Sequence, residues 1–362
     1  MLDIYAGKNA KKALLTHGFT PHLFTHFLGA SGGPKWFTLF GLDKYIFSEF
    51  FNNTNMANAA PLNIVGSSAG AFRAACFAQK NPVAAIERLA YSYAHTEYST
   101  KPTANEISTK AVTIVDHIFG EHGAQEVINN KQLKAHFIVS QCRGLTGYES
   151  KLAQGAGLLA SMALNKINRK FLALQYQRYV FKAPSSNINI VDPHNIPSHY
   201  HNLSLANIKS ALLASGSIPM VMSGVKSITN LPNYTYRDGG IIDYHFDFTL
   251  EDAQTVSVNE SPALTLYPHF NSIPKAGWFD KSSKRGVSQK SYDNTVLLVP
   301  SARFIQSLPY QKIPDRNDFT QMDAKTRIQY WLTVLSETER LAQALHDLLE
   351  KQDWSKVKLI EA

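Results

Sequence analysis

The run Leu62-Asn63-Ile64-Val65-Gly66-Ser67-Ser68-Ala69-Gly70-Ala71-Phe72 constrains this chain more than any other. A short apolar stretch suited to a buried strand ends in Gly-x-Ser-x-Gly, and an alanine-rich stretch follows without a spacer. That order predicts a strand turned sharply into a helix, with Ser68 exposed on the turn. The crowding of such a turn accounts for Gly66 and Gly70. A second match, Gly29-Ala30-Ser31-Gly32-Gly33, follows the apolar run His22–Leu28. There two glycines and Pro34 stand before the helical spacing of Trp36, Phe37, Leu39, Phe40, Tyr45 and Ile46. Glycine is a poor helix former and proline favours the first helical position, so that helix is expected only from Pro34. Ser68 is therefore the candidate nucleophile. The bare amides of Gly32 and Gly33, and that of Ala69, are candidate donors to an oxyanion. A plain strand-to-helix turn capped by Ser68 satisfies the same local pattern.

Strand-like and helix-like stretches alternate along the chain, which predicts an α/β fold. Further strands are expected over Ala135–Ser140, Ile188–Val191, Ala263–Tyr267 and Val296–Val299, and one ending at Asp238. Helices are expected over Ala71–Phe77 and on to about His95, then over Ala104–Gly120, Glu149 to about Phe181, and Ile208–Leu213. Apolar spacing predicts one amphipathic helix over Lys325–Lys351. Asn52–Ala60 reads as a polar loop and Pro193–His201 as a His- and Pro-rich loop. No linker marks a boundary. The expectation is one domain over residues 1–362, with a helical insertion near 100–182 and a helical region near 300–362.

Composition excludes several classes. Hydrophobic residues make up 44% and charged residues 18%, which excludes intrinsic disorder. Two cysteines, Cys76 and Cys142, exclude a disulfide scaffold and suit a reducing compartment. The net charge of +8 comes without a basic run, so no nucleic-acid tail is expected. Met1–Ala6 lacks the pattern of a secretory signal, and Leu152–Asn165 is too short to span a bilayer, so a cytoplasmic location is expected. Lys151–Lys182 carries six basic residues and no acid among leucines and aromatics. That segment fits a peripheral contact with anionic membrane or a core-facing helix with a solvated basic face. His194, His199 and His201 stand near Asp192 without a helical His-x-x-x-His spacing, so loop histidines are expected there and no metal.

Asp238-Gly239-Gly240 is by itself a turn sequence. A carboxylate there would serve as a base for a serine only if held close and away from water. Taken in order, four blocks resemble the patatin-like phospholipases. Ser31-Gly32-Gly33-Pro34-Lys35 resembles the oxyanion loop, and Gly66-Ser67-Ser68-Ala69-Gly70 the nucleophile elbow. Ala214-Ser215-Gly216-Ser217-Ile218-Pro219 is similar to a family segment lying between elbow and aspartate, and Asp238-Gly239-Gly240 to the aspartate motif. The resemblance spans about residues 22–245. It implies a three-layer α/β/α fold with a mostly parallel central sheet. It also implies a Ser68–Asp238 dyad without a catalytic histidine, and an oxyanion site of Gly32, Gly33 and Lys35. Substrates would be phospholipids or other acyl-ester lipids, with no cofactor. Ser31 replaces a loop glycine, and Trp36 replaces the glycine after the basic residue; Trp36 either packs the helix or narrows the site's mouth. Two other readings stay open. One is an esterase or thioesterase with a Ser-His-Asp triad through His245 or His269; the other is a non-catalytic membrane-binding protein. An activating protein partner is also left open.

Overall fold

The computed structural model describes residues 1–51, 60–252 and 263–360. The polar loop expected over Asn52–Ala60 lies outside them except for Ala60. Twelve strands occur among the described residues: β1 (Leu2–Ala6), β2 (Phe24–Gly29), β3 (Leu62–Ser67), β4 (Leu133–Cys142), β5 (Tyr176–Lys182), β6 (Ile188–Val191), β7 (Ser198–Asn202), β8 (Thr235–Asp238), β9 (Thr249–Asp252), β10 (Leu264–Pro268), β11 (Thr295–Pro300) and β12 (Lys358–Leu359). Ten form one sheet in the order β12-β1-β11-β10-β2-β3-β4-β5-β7, with β8 beside β4; β6 and β9 pair separately. The five strands from β11 to β4 run parallel. β1 is antiparallel to β11, and β5 and β8 are antiparallel to β4. Nearly every residue of β2, β3, β4, β10 and β11 is buried, as befits a parallel sheet flanked by helices.

One edge of β4 places the site. Residues Leu133–Ile138 of β4 pair with β3, ending at Ser67 opposite Ile138. From Val139 onward β4 pairs with β8, with Asp238 opposite Val139. Since β5 occupies the other edge, β8 takes the place that β3 vacates. Ser68 and Asp238 therefore meet where one strand stops and the other ends.

The helix Ala69–Phe77 leaves that point and packs across β2, β3 and β4. Its approach is set by three glycines. Gly29 and Gly66 are register partners on β2 and β3, and Gly70 presses on both. A Cβ on Gly70 would overlap the Gly29 carbonyl, and one on Gly66 would overlap Gly70. The first glycine of the 29–33 motif thus serves packing. A buried bidentate pair, Arg73 to Asp43 (2.7 and 2.6 Å), ties this helix to the neighbouring helix Phe40–Tyr45.

Three expectations are corrected. The helix expected from Glu149 to Phe181 runs only over Lys151–Ile167. Asn168 then caps a short 3-10 turn, and Tyr176–Lys182 is a strand. That stretch carries apolar residues compatible with either period, and the open edge of β4 decides. The span near 100–182 expected to be helical therefore also holds β4 and β5. The Pro193–His201 loop contains most of β7, which pairs with β5. The helix expected over Lys325–Lys351 is two, Ala324–Glu337 and Glu339–Lys351. The break is at Thr338, whose hydroxyl accepts the Gly41 amide (2.9 Å) and donates to the Leu335 carbonyl.

The packing of Gly70 leads to a contrast between two glycines. Gly70→Ala should lower unfolding stability by about 2 kcal/mol or more, because its Cβ meets backbone that no rotamer relieves. Gly155, inside the helix Lys151–Ile167, has open space around its Cβ position. Gly155→Ala should raise stability by up to about 1 kcal/mol. Urea unfolding of both variants checks this.

Candidate active site

Ser68 has φ 54° and ψ −126°, a left-handed conformation that costs a non-glycine residue. The turn is held from several sides. The Ser68 amide donates to Ser215 Oγ (3.0 Å), and Ser215 Oγ donates to the Ile138 carbonyl (2.7 Å). The Asp238 amide donates to the Ser217 carbonyl (3.0 Å). The Ala214–Pro219 block is thus a brace for both candidate catalytic residues. Ser31 also braces the turn, donating to Ser67 Oγ (3.0 Å) and to the Ser67 carbonyl (3.2 Å).

Ser68 Oγ donates to Asp238 Oδ2 at 2.7 Å. Asp238 Oδ1 accepts the Gly240 amide, also at 2.7 Å. Burial raises the Asp238 pKa above the usual carboxylate value; the positive charge of Arg316 and the bonds from Ser68 and Gly240 oppose that rise. The two glycines after Asp238 are steric requirements. A Cβ on Gly239 would strike the Ile138 carbonyl, and one on Gly240 would come within 2.5 Å of Ser31 Oγ.

The amides of Gly32, Gly33 and Ala69 have no hydrogen-bond partner among the described residues. Gly33, Ser68 and Ala69 line one cavity together. Gly32 lies against the Phe270 ring instead. Lys35 is not brought to the serine: its ammonium pairs with Asp315 (3.5 Å) and lies over Phe270. Trp36 is buried, packs against Phe37 and Phe40, and walls the same cavity.

That cavity is about 350 Å³ and mostly apolar. It runs from Ser68 past Phe72 and Tyr93 towards Ile107 and Ile114. A second, narrow cleft also reaches Ser68 and Asp238, between Pro219, Tyr244, Trp278, Lys281 and Arg316. Arg316 lines both spaces. Trp278, Lys281 and Arg316 come from sequence without a recognisable motif, and only the folding of the later chain over the cleft reveals them.

Neither candidate histidine joins the pair. His245 Nδ1 accepts the Lys275 amide (3.0 Å), and its ring lies tilted against Tyr244 and edge-to-face with His269. The ring nitrogen Nδ1 of His269 is held by the backbone of Asn271. Burial lowers both pKa values, that of His269 to about 3. Neither imidazole bonds Ser68 or Asp238, and Ser68 bonds Asp238 directly, so the triad reading finds no matching geometry among the described residues. The loop histidines separate as well: His194 bonds Asp247 (3.1 Å), while His201 stacks on Tyr179 and His199 lies tilted against it. Asp192 pairs with Arg178 (2.7 Å).

The family model for patatin-like phospholipases matches residues 50–245, more than half of the chain. The chain belongs to the patatin-like phospholipase family. Membership makes it one of a family of lipid acyl hydrolases, on an α/β fold with a mostly parallel central sheet. The matched residues of this patatin-like chain include Ser68 and Asp238, but not Gly32, Gly33 or Arg316. A search of curated proteins and a search of solved structures each returned no match.

The raised Asp238 pKa fixes the sign of a stability effect. The folded chain binds this proton more tightly than the unfolded chain, so stability is lost as pH rises through the raised value. Asp238→Asn keeps the shape and removes the buried charge. Its thermal midpoint should exceed that of the unsubstituted protein at pH 8, and the gap should close below about pH 4, where both forms are neutral. Calorimetry across that range tests the expectation.

Proposed function

We propose that this protein hydrolyses fatty-acyl ester bonds of phospholipids or related lipids, with Ser68 as nucleophile and Asp238 as its base. The observation that carries the reading is the 2.7 Å bond from Ser68 Oγ to Asp238 Oδ2, at a strained turn opening into an apolar cavity. In this reading the acyl chain enters the cavity and its carbonyl carbon meets Ser68 Oγ. Asp238 takes the hydroxyl proton as the Oγ–carbon bond forms. The oxyanion rests on the amides of Gly33 and Ala69, with Gly32 as a neighbour, at the start of the helix Ala69–Phe77. Collapse breaks the ester bond, and Asp238 returns its proton to the leaving alcohol. Water then gives a proton to Asp238 and attacks the acyl-enzyme; collapse breaks the acyl–Oγ bond, Asp238 returns the proton to Ser68 Oγ, and the fatty acid leaves. Ser68, Asp238 and water account for every proton and acyl transfer.

A fluorophosphonate probe followed by peptide mapping tests the nucleophile. One adduct is expected at Ser68. Labelling and lipid hydrolysis should fall at least about 1,000-fold in Ser68→Ala and in Asp238→Asn. Full hydrolysis by Ser68→Ala would reject the assignment.

We also propose that the protein works from the cytoplasm, at an anionic membrane surface, through the helix Lys151–Ile167. No helix among the described residues is long and apolar enough to cross a membrane. This helix turns its polar side inward: Gln154, Ser161 and Asn165 are buried, and Asn165 bonds Asp280 (2.8 Å). Its apolar side faces out, with Leu152 88% exposed and Leu159, Met162 and Ile167 also exposed. Arg169 and Arg178 are buried in ion pairs with Asp280 and Asp243, which leaves Lys151, Lys166 and Lys170 as the exposed cations there. An outward apolar face beside cations is the pattern of interfacial binding. Leu159→Asp with Met162→Asp should weaken binding to phosphatidylglycerol vesicles at least about tenfold, with little change in thermal midpoint. Co-sedimentation measures it.

A further inference from the structure

The narrow cleft is lined by two cations, Arg316 and Lys281, and one carboxylate, Asp238. Elsewhere the cations of this region are engaged. Lys35 pairs with Asp315, Lys312 with Asp318, and Arg285 with Asp280. Arg327 donates to the carbonyls of Ala94 and Thr96. Arg316 and Lys281 differ. Among the described residues neither side chain makes a hydrogen bond or ion pair, yet both line the cleft with Ser68 and Asp238.

Their positions are defined. Arg316 lies over the oxyanion loop, so that a Cβ on Gly33 would stand 2.9 Å from its Nε. The Lys281 ammonium lies 3.9 Å from the centre of the Tyr244 ring and 5.6 Å from that of Trp278. The carboxylate in the cleft, Asp238, bonds Ser68 and the Gly240 amide rather than either cation. We propose that Arg316 and Lys281 form a recognition site for the head group of a net-anionic phospholipid, selecting it over zwitterionic and neutral acyl lipids.

This inference rests on the hydrolase reading and names its substrate class. With the acyl chain in the apolar cavity, the leaving part of the ester would lie at the mouth of the cleft, against Arg316 and Lys281; the cleft itself holds only about 20 Å³. A phosphate there would receive the planar guanidinium fork and a point charge together. A choline-type cation would enter a site already positive. Although much of Lys281 is exposed, the enclosure of its ammonium and the nearby Arg316 charge lower its pKa to about 7. A bound phosphate would relieve that repulsion. Lys35, the basic residue that the family motif offers, pairs with Asp315 instead.

The test compares dihexanoyl phosphatidic acid with dihexanoyl phosphatidylcholine, which have identical acyl chains. The unsubstituted enzyme should favour the anionic lipid in kcat/KM. Arg316→Gln and Lys281→Gln should each lower that ratio about tenfold, as expected for one charge-assisted bond, and Lys281→Arg should largely restore it. A preference for phosphatidylcholine, or an equal loss on both lipids, would overturn the proposal. Calorimetric binding to Ser68→Ala separates it from the hydrolase reading. If the unsubstituted protein turns over neither lipid while Ser68→Ala binds phosphatidic acid in an Arg316-dependent way, the hydrolase reading fails and the recognition site stands. Inorganic phosphate serves as the control. Binding of phosphate as tight as that of phosphatidic acid would mark a free-anion site and overturn the head-group assignment.

Discussion

The shared edge of β4 is the constraint on which the site depends. β3 and β8 run in opposite directions and approach the same edge from either end. β3 stops at Ser67 opposite Ile138, and Asp238 lies opposite Val139. Sheet register is fixed wherever both faces are buried, because a one-residue slip turns every side chain over. The hydroxyl and the carboxylate are therefore set 2.7 Å apart by backbone pairing. Ser215 links the Ser68 amide to the Ile138 carbonyl, so the brace reads the same edge.

This arrangement places a carboxylate where water is scarce. Burial makes its charge costly and raises its pKa, while Arg316, Ser68 and the Gly240 amide act in the other direction. In the proposed role of base the carboxylate must be ionised, yet a base gains strength as its pKa rises towards the working pH. The site thus holds Asp238 between opposing influences, and Arg316 contributes to that balance from outside the matched family segment. The same residue lines both the apolar cavity and the narrow cleft. Ser68 lines both spaces.

Residues of the candidate site were legible in the sequence where backbone geometry restricts residue type. Gly66, Ser68 and Gly70 announce a strand-to-helix turn because side chains clash there. Gly239 and Gly240 mark a place where a Cβ would meet Ile138 or Ser31. Lys35 illustrates the converse. Its position beside Gly33 suggests an oxyanion role, but a flexible side chain follows the nearest carboxylate, here Asp315. The long helices expected over Glu149–Phe181 and Lys325–Lys351 failed for a related reason. Apolar spacing reports that a segment is buried, but the partners it meets (the open edge of β4, or Gly41 against Thr338) decide where it ends.

The sequence by itself determined the local steps: an α/β alternation, an elbow at Ser68, a bare-amide loop at Gly32 and Gly33, and an aspartate before two glycines. Each follows from short-range sterics that a few residues encode. The tertiary structure alone decided which of these steps meet, through the pairing of β8 with β4. It also decided that Arg316, Lys281 and Trp278 close over the cleft, and that the helix Lys151–Ile167 turns its leucines outward. Such contacts join residues far apart in the chain, so no local pattern of spacing carries them.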